Sequence, residues 1–281
     1  MKTVELAAGT IEYDDIGQGR PIVLLAGLLM DSTLWAQTAA ALSSDYRCII
    51  PTLPLGAHRL PMRPEADLSL AGVAAMVSQM LDRLGLSEVA LVGNDSGGAV
   101  VQLVLDHDPT RISRVVLISC EAFDNYPAHV AGTALAMTGR LPAPAFGLAM
   151  QQLRLRPLRR LPISFGWLTK RGDVVVARAL RPLLNQAAIR HDLLRTLRAE
   201  RADRTRLAQA TRALSQYRHP ALVAWAAEDR VMPLEHGRRL ATTLPSARFV
   251  SIADTYTLVP LDQPAQLADI IHTFLDTSHH A

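Results

Sequence analysis

Short runs of apolar, mostly β-favouring residues alternate along the chain with longer stretches whose apolar residues recur every three or four positions. The first kind covers residues 3–6, 10–16, 21–25, 46–50, 89–92, 115–119, 221–225 and 248–252, and each reads as a strand. The second covers residues 34–42, 68–84, the segment after Gly98, 234–243 and 264–275, and reads as amphipathic helix. Asp67 is placed to cap the helix at 68–84, and Gly85 to stop it. Gly17-Gln18-Gly19 is a turn, and the Pro- and Gly-rich segment 51–65 is a loop. Strands alternating with helices predict an α/β fold, a mostly parallel eight-stranded sheet with helices on both faces.

The alternation breaks once. Between residues 126 and 218 no strand pattern occurs, and Pro142, Pro144, Pro157 and Pro162 cut the helical pattern into short pieces. This predicts a helical cap over residues 126–218, inserted into a core of residues 1–125 and 219–281. Open α/β sheets bind ligands at the C-terminal ends of their strands, so the cap is expected there. Met137, Phe146, Met150, Phe165 and Trp167 are its supply of substrate-wall residues, although any single one is better read as the cap's own core.

The run at 89–92 ends in Gly93-Asn94-Asp95-Ser96-Gly97-Gly98. A helical pattern follows, with Val100, Val101, Leu103, Val104 and Leu105 as its apolar stripe and Gln102 and Asp106 outside it. Strand, tight turn and helix in this order form a nucleophile elbow, G-x-Nu-x-G, in which the glycines let two backbones pass closely. The spacing centres on Asp95, because position 94 is Asn rather than Gly. The reactive group is therefore expected to be a carboxylate at a helix N-terminus, where backbone N–H groups favour its ionised form. An ordinary helix-capping aspartate is the plainer alternative.

Composition narrows the class. Nearly half of the 281 residues are hydrophobic, enough for a large core. No apolar run is long enough to span a membrane, and the N-terminus reads as a first strand rather than a signal peptide. Cys48 and Cys120 both fall in strand runs and read as small core residues of a cytoplasmic protein, with no metal spacing around them. No metal or cofactor is expected. The net charge of +3 hides an asymmetry, since residues 140–218 hold 17 Lys/Arg against 4 Asp/Glu. Those arginines recur at helical spacing among leucines, with few aromatics, which fits a solvated helix face better than a nucleic-acid surface. The expected partner is a small apolar or anionic substrate, with no nucleic acid and no membrane; a homodimer stays open.

Taken together, these residues resemble the α/β-hydrolase superfamily over nearly the whole chain. The Asp-centred elbow narrows the likeness to the branch of haloalkane dehalogenases, fluoroacetate dehalogenases and epoxide hydrolases. There the aspartate attacks carbon to form an alkyl ester, which a histidine-activated water then hydrolyses. The resemblance offers two places for the acid member: Asp229, four residues before Pro233, and Glu121, just beyond the sixth strand. It implies an oxyanion site from the backbone N–H groups of Leu28 and Ser96, after Ala26-Gly27.

The histidine is where the sequence departs. The frame Asp254-Thr255-Tyr256-Thr257-Leu258-Val259-Pro260, followed by Asp262-Gln263-Pro264, aligns on both sides and puts Thr257 in the histidine's place. A threonine hydroxyl cannot act as a base near neutral pH. Tyr256 replaces the usual glycine and is expected beside the pocket. Leu28 and Ser96 stand where dehalogenases carry halide-binding side chains. Of the nine histidines, His58 and His129 are the two placed to substitute. His107 and His219 lie at the wrong end of the sheet, His191 and His236 lie on helices, and His279 and His280 lie in the tail.

Three functions follow. One is an Asp95-nucleophile hydrolase acting on an epoxide, haloalkane or similar activated carbon. The second is a non-hydrolytic lyase, isomerase or cyclase with Asp95 as general acid/base, and the third a silent ligand-binding member. The site residues expected are Asp95, Asp229, Thr257 and Glu121 for the chemistry. Gly27, Leu28, Ser96, His58, Tyr256 and His129 are expected around the substrate and oxyanion.

Overall fold

The computed structural model describes residues 1–277, so His279 and His280 lie outside the described residues. Eight strands form one sheet: β1 (Lys2–Leu6), β2 (Gly9–Ile16), β3 (Arg20–Leu25), β4 (Tyr46–Pro51), β5 (Val89–Asp95), β6 (Ile112–Cys120), β7 (Ala221–Ala226) and β8 (Ala247–Ile252). Their order across the sheet is β1-β2-β4-β3-β5-β6-β7-β8. β2 pairs antiparallel with β1 and β4, and every pair from β4 to β8 is parallel. The order reverses around β3, so the carboxyl ends of β3 and β5 border a crevice.

Successive residues of the central strands enter opposite cores. Val89 and Leu91 of β5, Val115 and Leu117 of β6, and Val223 and Trp225 of β7 belong to one cluster. Ala90 and Val92, Val116 and Ile118, and Leu222 and Ala224 belong to the other. A strand buried on both faces needs an unbroken apolar run, which is why these segments show no polar alternation. The first core is covered by α2 (Leu70–Arg83) and α3 (Ser96–His107), the second by α1 (Ala36–Leu42). The N-cap of α2 is Ser69, whose hydroxyl accepts the Gly72 N–H. Asp67, expected in that role, instead accepts the Ser69 N–H one turn earlier.

Between β6 and β7 the regular elements among the described residues are helices joined by turns: α4 (His129–Thr138), α5 (Ala143–Gln151), α6 (Arg156–Arg159), α7 (Asp173–Ala179), α8 (Arg181–Asn185), α9 (Ala187–Arg198) and α10 (Glu200–Ala213). The last of these packs on α3 within the first core, so the insertion over the strand ends is made by α4 to α9. The remaining helices are α11 (Leu234–Thr243), α12 (Val259–Asp262) and α13 (Pro264–Thr277).

The arginines between β6 and β7 have a structural use. Arg154 and Arg190 donate to the Leu184 carbonyl, Arg198 to the Gly139 and Leu141 carbonyls, and Arg204 to the Tyr126 carbonyl. Short, proline-broken helices leave many C-terminal carbonyls without a helical partner. Guanidinium groups with five donors each satisfy them.

Candidate active site

The elbow lies at the junction of β5 and α3. Asp95 has φ 56° and ψ −132°, a conformation unfavourable for a residue with a side chain. The glycines around it permit close passage: a Cβ on Gly93 would overlap the Gly97 carbonyl, and one on Gly98 would overlap Cys120. A Cβ on Gly27 would overlap the Asp95 carboxylate itself, so the loop after β3 lies against the reactive group. Asn94 pins the turn from inside. Its Nδ2 donates to the Ile118 carbonyl at 3.0 Å and to the Thr257 carbonyl at 2.8 Å.

Asp95 lines a cavity of about 260 Å³ between the sheet edge and the insertion. Leu28, Ser96, Glu121 and Val231 come from the core side, and Leu135, Met150, Leu153, Phe165 and Leu168 from the insertion. Of the five large residues named from sequence, Met150 and Phe165 reach this wall. Phe146 is fully buried elsewhere in the insertion's packing and Met137 is exposed. Trp167 is half-buried with its ring edge against His129.

Two carboxyl groups share this wall. Burial pushes the Asp95 carboxyl up to about 7; the Ser96 N–H opposes the rise, and the Asp229 charge adds to it. Burial also pushes Glu121 up to about 8, the charge of Asp95 adds to this, and the Ser96 hydroxyl and Ala128 N–H oppose it. Like charges in a poorly solvated site cannot both ionise easily, so the pair retains one proton near neutrality.

Asp229 stands behind them, in the loop after β7. Its Oδ1 accepts the Val231 N–H (2.9 Å), the Met232 N–H (2.8 Å) and the Thr257 hydroxyl (2.8 Å). Burial raises its carboxyl and these bonds lower it. Thr257 is fully buried, and its hydroxyl hydrogen is directed at Asp229. The acid and the residue in the histidine's place are therefore brought together with the elbow, but with no imidazole between them.

The other expected residues divide. Leu28, Ser96 and Glu121 join the cavity wall, and Gly27 abuts Asp95. His58 does not reach the cavity. It is buried, with Nε2 at 3.2 Å from Asp192 of α9 and Nδ1 accepting the Gly56 N–H at 3.4 Å. The loop after β4 turns beneath the insertion, not into the cavity. His129 is exposed, and its ring meets the edge of Trp167. Tyr256 is not in the cavity wall either, because its ring lies between the Lys170 and Arg230 cations. His107, His191 and His219 are exposed. His236 packs on Phe123, and His272 pairs with Asp45 and Asp276.

Sequence reasoning misplaced Gln102 and overlooked the role of Asp262. Gln102, read as lying outside the apolar stripe of α3, is fully buried. Its Nε2 donates to the Gly98 carbonyl (3.1 Å) and the Glu121 carbonyl (2.7 Å), which fixes the backbone of Glu121 against the elbow helix. A polar residue inside an otherwise apolar helix was the available signal. Asp262 is buried at the end of α12 and accepts from Thr169, Lys170, Arg171, Thr255 and Tyr256. It ties the insertion to the loop that carries Thr257. No cluster of three or more His, Cys, Asp or Glu among the described residues is placed to hold a metal ion. Among those residues, no helix is long and apolar enough to cross a membrane.

A family model described as "alpha/beta hydrolase fold" matches residues 20–264. The chain belongs to the α/β-hydrolase fold family. Among its relatives is a 2-hydroxy-6-oxononadienedioate/2-hydroxy-6-oxononatrienedioate hydrolase of Paraburkholderia phymatum, 26% identical, covering 85% of this chain and 81% of the relative. Solved structures with the same fold include a thermophilic esterase from Thermogutta terrifontis, at 20% identity and TM-score 0.77 over 99% of this chain and 100% of the other. They also include the epoxide hydrolase CorEH, at 18% identity and TM-score 0.78 over 98% of each chain. At such identities the structural neighbours establish the fold of this α/β-hydrolase and not its substrate.

Proposed function

We propose that this protein is a hydrolase of small molecules in which the Asp95 carboxylate attacks an activated carbon of a small apolar substrate. An epoxide or a haloalkane is the class such an attack suits. The observation that carries this reading is a carboxylate at the elbow of an α/β-hydrolase, facing a mostly apolar cavity. The attack gives an alkyl ester on Asp95. Its hydrolysis passes through a tetrahedral oxyanion, for which the N–H groups of Leu28 and Ser96 are the natural donors.

One observation favours a second reading. The Thr257 hydroxyl is committed to Asp229, and neither residue lines the cavity where a water beside Asp95 would have to be activated. A lyase or isomerase with Asp95 as general acid/base forms no ester and needs no such water.

Intact-protein mass spectrometry separates the two. Incubation with simple epoxides or haloalkanes, quenched within the first turnover, is expected to give an adduct that maps to Asp95 and is absent from Asp95→Asn. Turnover with no adduct at any time would favour the non-hydrolytic reading. Activity retained in Asp95→Asn would refute both.

A further inference from the structure

The geometry points to Glu121 as the group that first gives a proton to the substrate and then takes one from water, which narrows the productive substrate to an epoxide. The inference rests on the Asp95 reading above.

Three observations carry it. Glu121 is in the cavity wall beside Asp95 and only 5% exposed. Its Oε1 accepts the Ala128 N–H at 3.4 Å, while its Oε2 is buried with no hydrogen-bond partner. A buried carboxyl oxygen left unpaired is costly, and its persistence calls for a use. The residue is also held in place, because Gln102 fixes its carbonyl.

The surroundings decide its charge. Asp95 faces it from the β5–α3 turn, Asp203 from α10, the Cys120 thiol from the preceding position and Ser96 from the start of α3. No cation is among the groups acting on it most strongly. Burial and like charge therefore favour the protonated form, a donor in the wall of an apolar cavity.

Asp95 attacks a ring carbon, the ring C–O bond breaks, and the oxygen takes the Glu121 proton. The products are a hydroxyalkyl ester on Asp95 and a Glu121 carboxylate. That carboxylate takes a proton from water as the water oxygen adds to the ester carbonyl. Collapse expels the diol oxygen, which takes this proton back. Asp95 leaves the step protonated and passes its proton to Glu121, restoring the starting state. The net reaction is epoxide plus water to diol. A departing halide takes no proton, so Glu121 gives that leaving group no help and stays protonated, with no carboxylate formed to take a proton from water.

The test compares 1,2-epoxyhexane with 1-bromohexane, which share a carbon skeleton, in wild type and Glu121→Gln. The variant is expected to open the epoxide about 10²-fold more slowly. It should still alkylate Asp95 with the bromide at the wild-type rate, and the hexyl ester should persist in both proteins because Glu121 has kept its proton, whereas the hydroxyhexyl ester from the epoxide should clear only in wild type. A second readout needs no turnover. At about pH 7.5, between the two titrations, wild type and Asp95→Asn should both show the infrared band of a protonated carboxyl, shifted by hexanamide, and in Glu121→Gln that band should fall to the minor part that Asp95 supplies. Equal loss with both substrates would reduce Glu121 to a structural part and overturn the inference. So would an undiminished epoxide rate, or a band that hexanamide does not move. Wild type reacting with neither six-carbon compound counts against the Asp95 reading instead, and the hexanamide band still decides Glu121.

Discussion

Asp262 and Glu121 are both buried carboxyl groups at the edge where the insertion meets the sheet, each 5% exposed. Their surroundings are opposite. Asp262 accepts from five residues, among them the backbone N–H groups of Lys170, Arg171 and Tyr256. Next to it, Lys170 and Arg171 pair with Asp254, and Lys170 also with Glu228. Glu121 has a long hydrogen bond from the Ala128 N–H at Oε1, the Ser96 hydroxyl nearby, an unpaired Oε2, and Asp95 for a neighbour. A carboxylate saturated with donors holds two chain segments together. A carboxyl group deprived of them retains a proton and is available to a ligand. Burial alone does not separate anchor from site; the count of donors does.

Asp95 belongs with Glu121 on the deprived side, and the largest effect is expected there. Asp95→Asn keeps the shape of the elbow but removes the attacking charge, so turnover should fall about 10³-fold or more. Stability should move the other way. The folded-state carboxyl titrates at about 7 against 3.8 as a free side chain. Its contribution is present at low pH and is lost as pH rises through 7. The variant should therefore unfold at a higher temperature than wild type at about pH 8. A variant that loses both activity and stability would show Asp95 to be an anchor like Asp262.

The saturated side supplies the converse. Asp262→Ala should cost about 3 kcal/mol, because five donors lose their acceptor in a buried place. Denaturant unfolding measures this directly. An effect below about 1 kcal/mol would mean that the Lys170 and Arg171 pairs with Asp254 hold the insertion without Asp262.

This contrast was only partly legible in the sequence. Strand positions follow from apolar runs whose length and β-branching are local properties, and residues 221–225 and 248–252 fall inside β7 and β8. The elbow was legible from its glycine spacing, although only Gly93 answers to contacts within the turn, while Gly97 meets the end of β3 and Gly98 meets Cys120. The state of a carboxyl group is not local. Glu121 owes its empty oxygen to how the insertion packs above it, and His58 owes its pairing with Asp192 to a helix 134 residues away. Gln102 looked exposed by periodicity because a helix buried on every side has no polar face to betray its polar residues. Asp262 sat in a familiar frame, but nothing in that frame announced the turn at Thr169 to Arg171 that it binds.

A pH series sharpens the comparison further. Glu121 titrates at about 8 in the folded chain against 4.5 as a free side chain. Its contribution is fully present below 4.5 and is lost as pH rises through 8. Glu121→Gln should therefore gain on wild type steadily across that window. Denaturation midpoints at about pH 5 and pH 8.5 test this, and equal differences at the two ends would contradict the assignment of a retained proton to Glu121.

The smallest effect is expected at Thr257, although it occupies the position the family gives to its histidine. Its hydroxyl is a donor to Asp229 Oδ1 at 2.8 Å, which also receives the N–H groups of Val231 and Met232. The residue is fully buried and does not line the cavity. Thr257→Val preserves shape and removes only the donor, so it should cost about 1 kcal/mol in stability. The carboxylate at Asp229 becomes harder to ionise without that donor, and through its charge Asp95 feels a slight relief. Turnover should therefore stay within about threefold of wild type, with the acidic limb of the pH–rate profile moved to lower pH by a fraction of a unit. A loss approaching that of Asp95→Asn would mean that the hydroxyl itself acts in the reaction, and Thr257 would then belong with Glu121 and Asp95 on the deprived side.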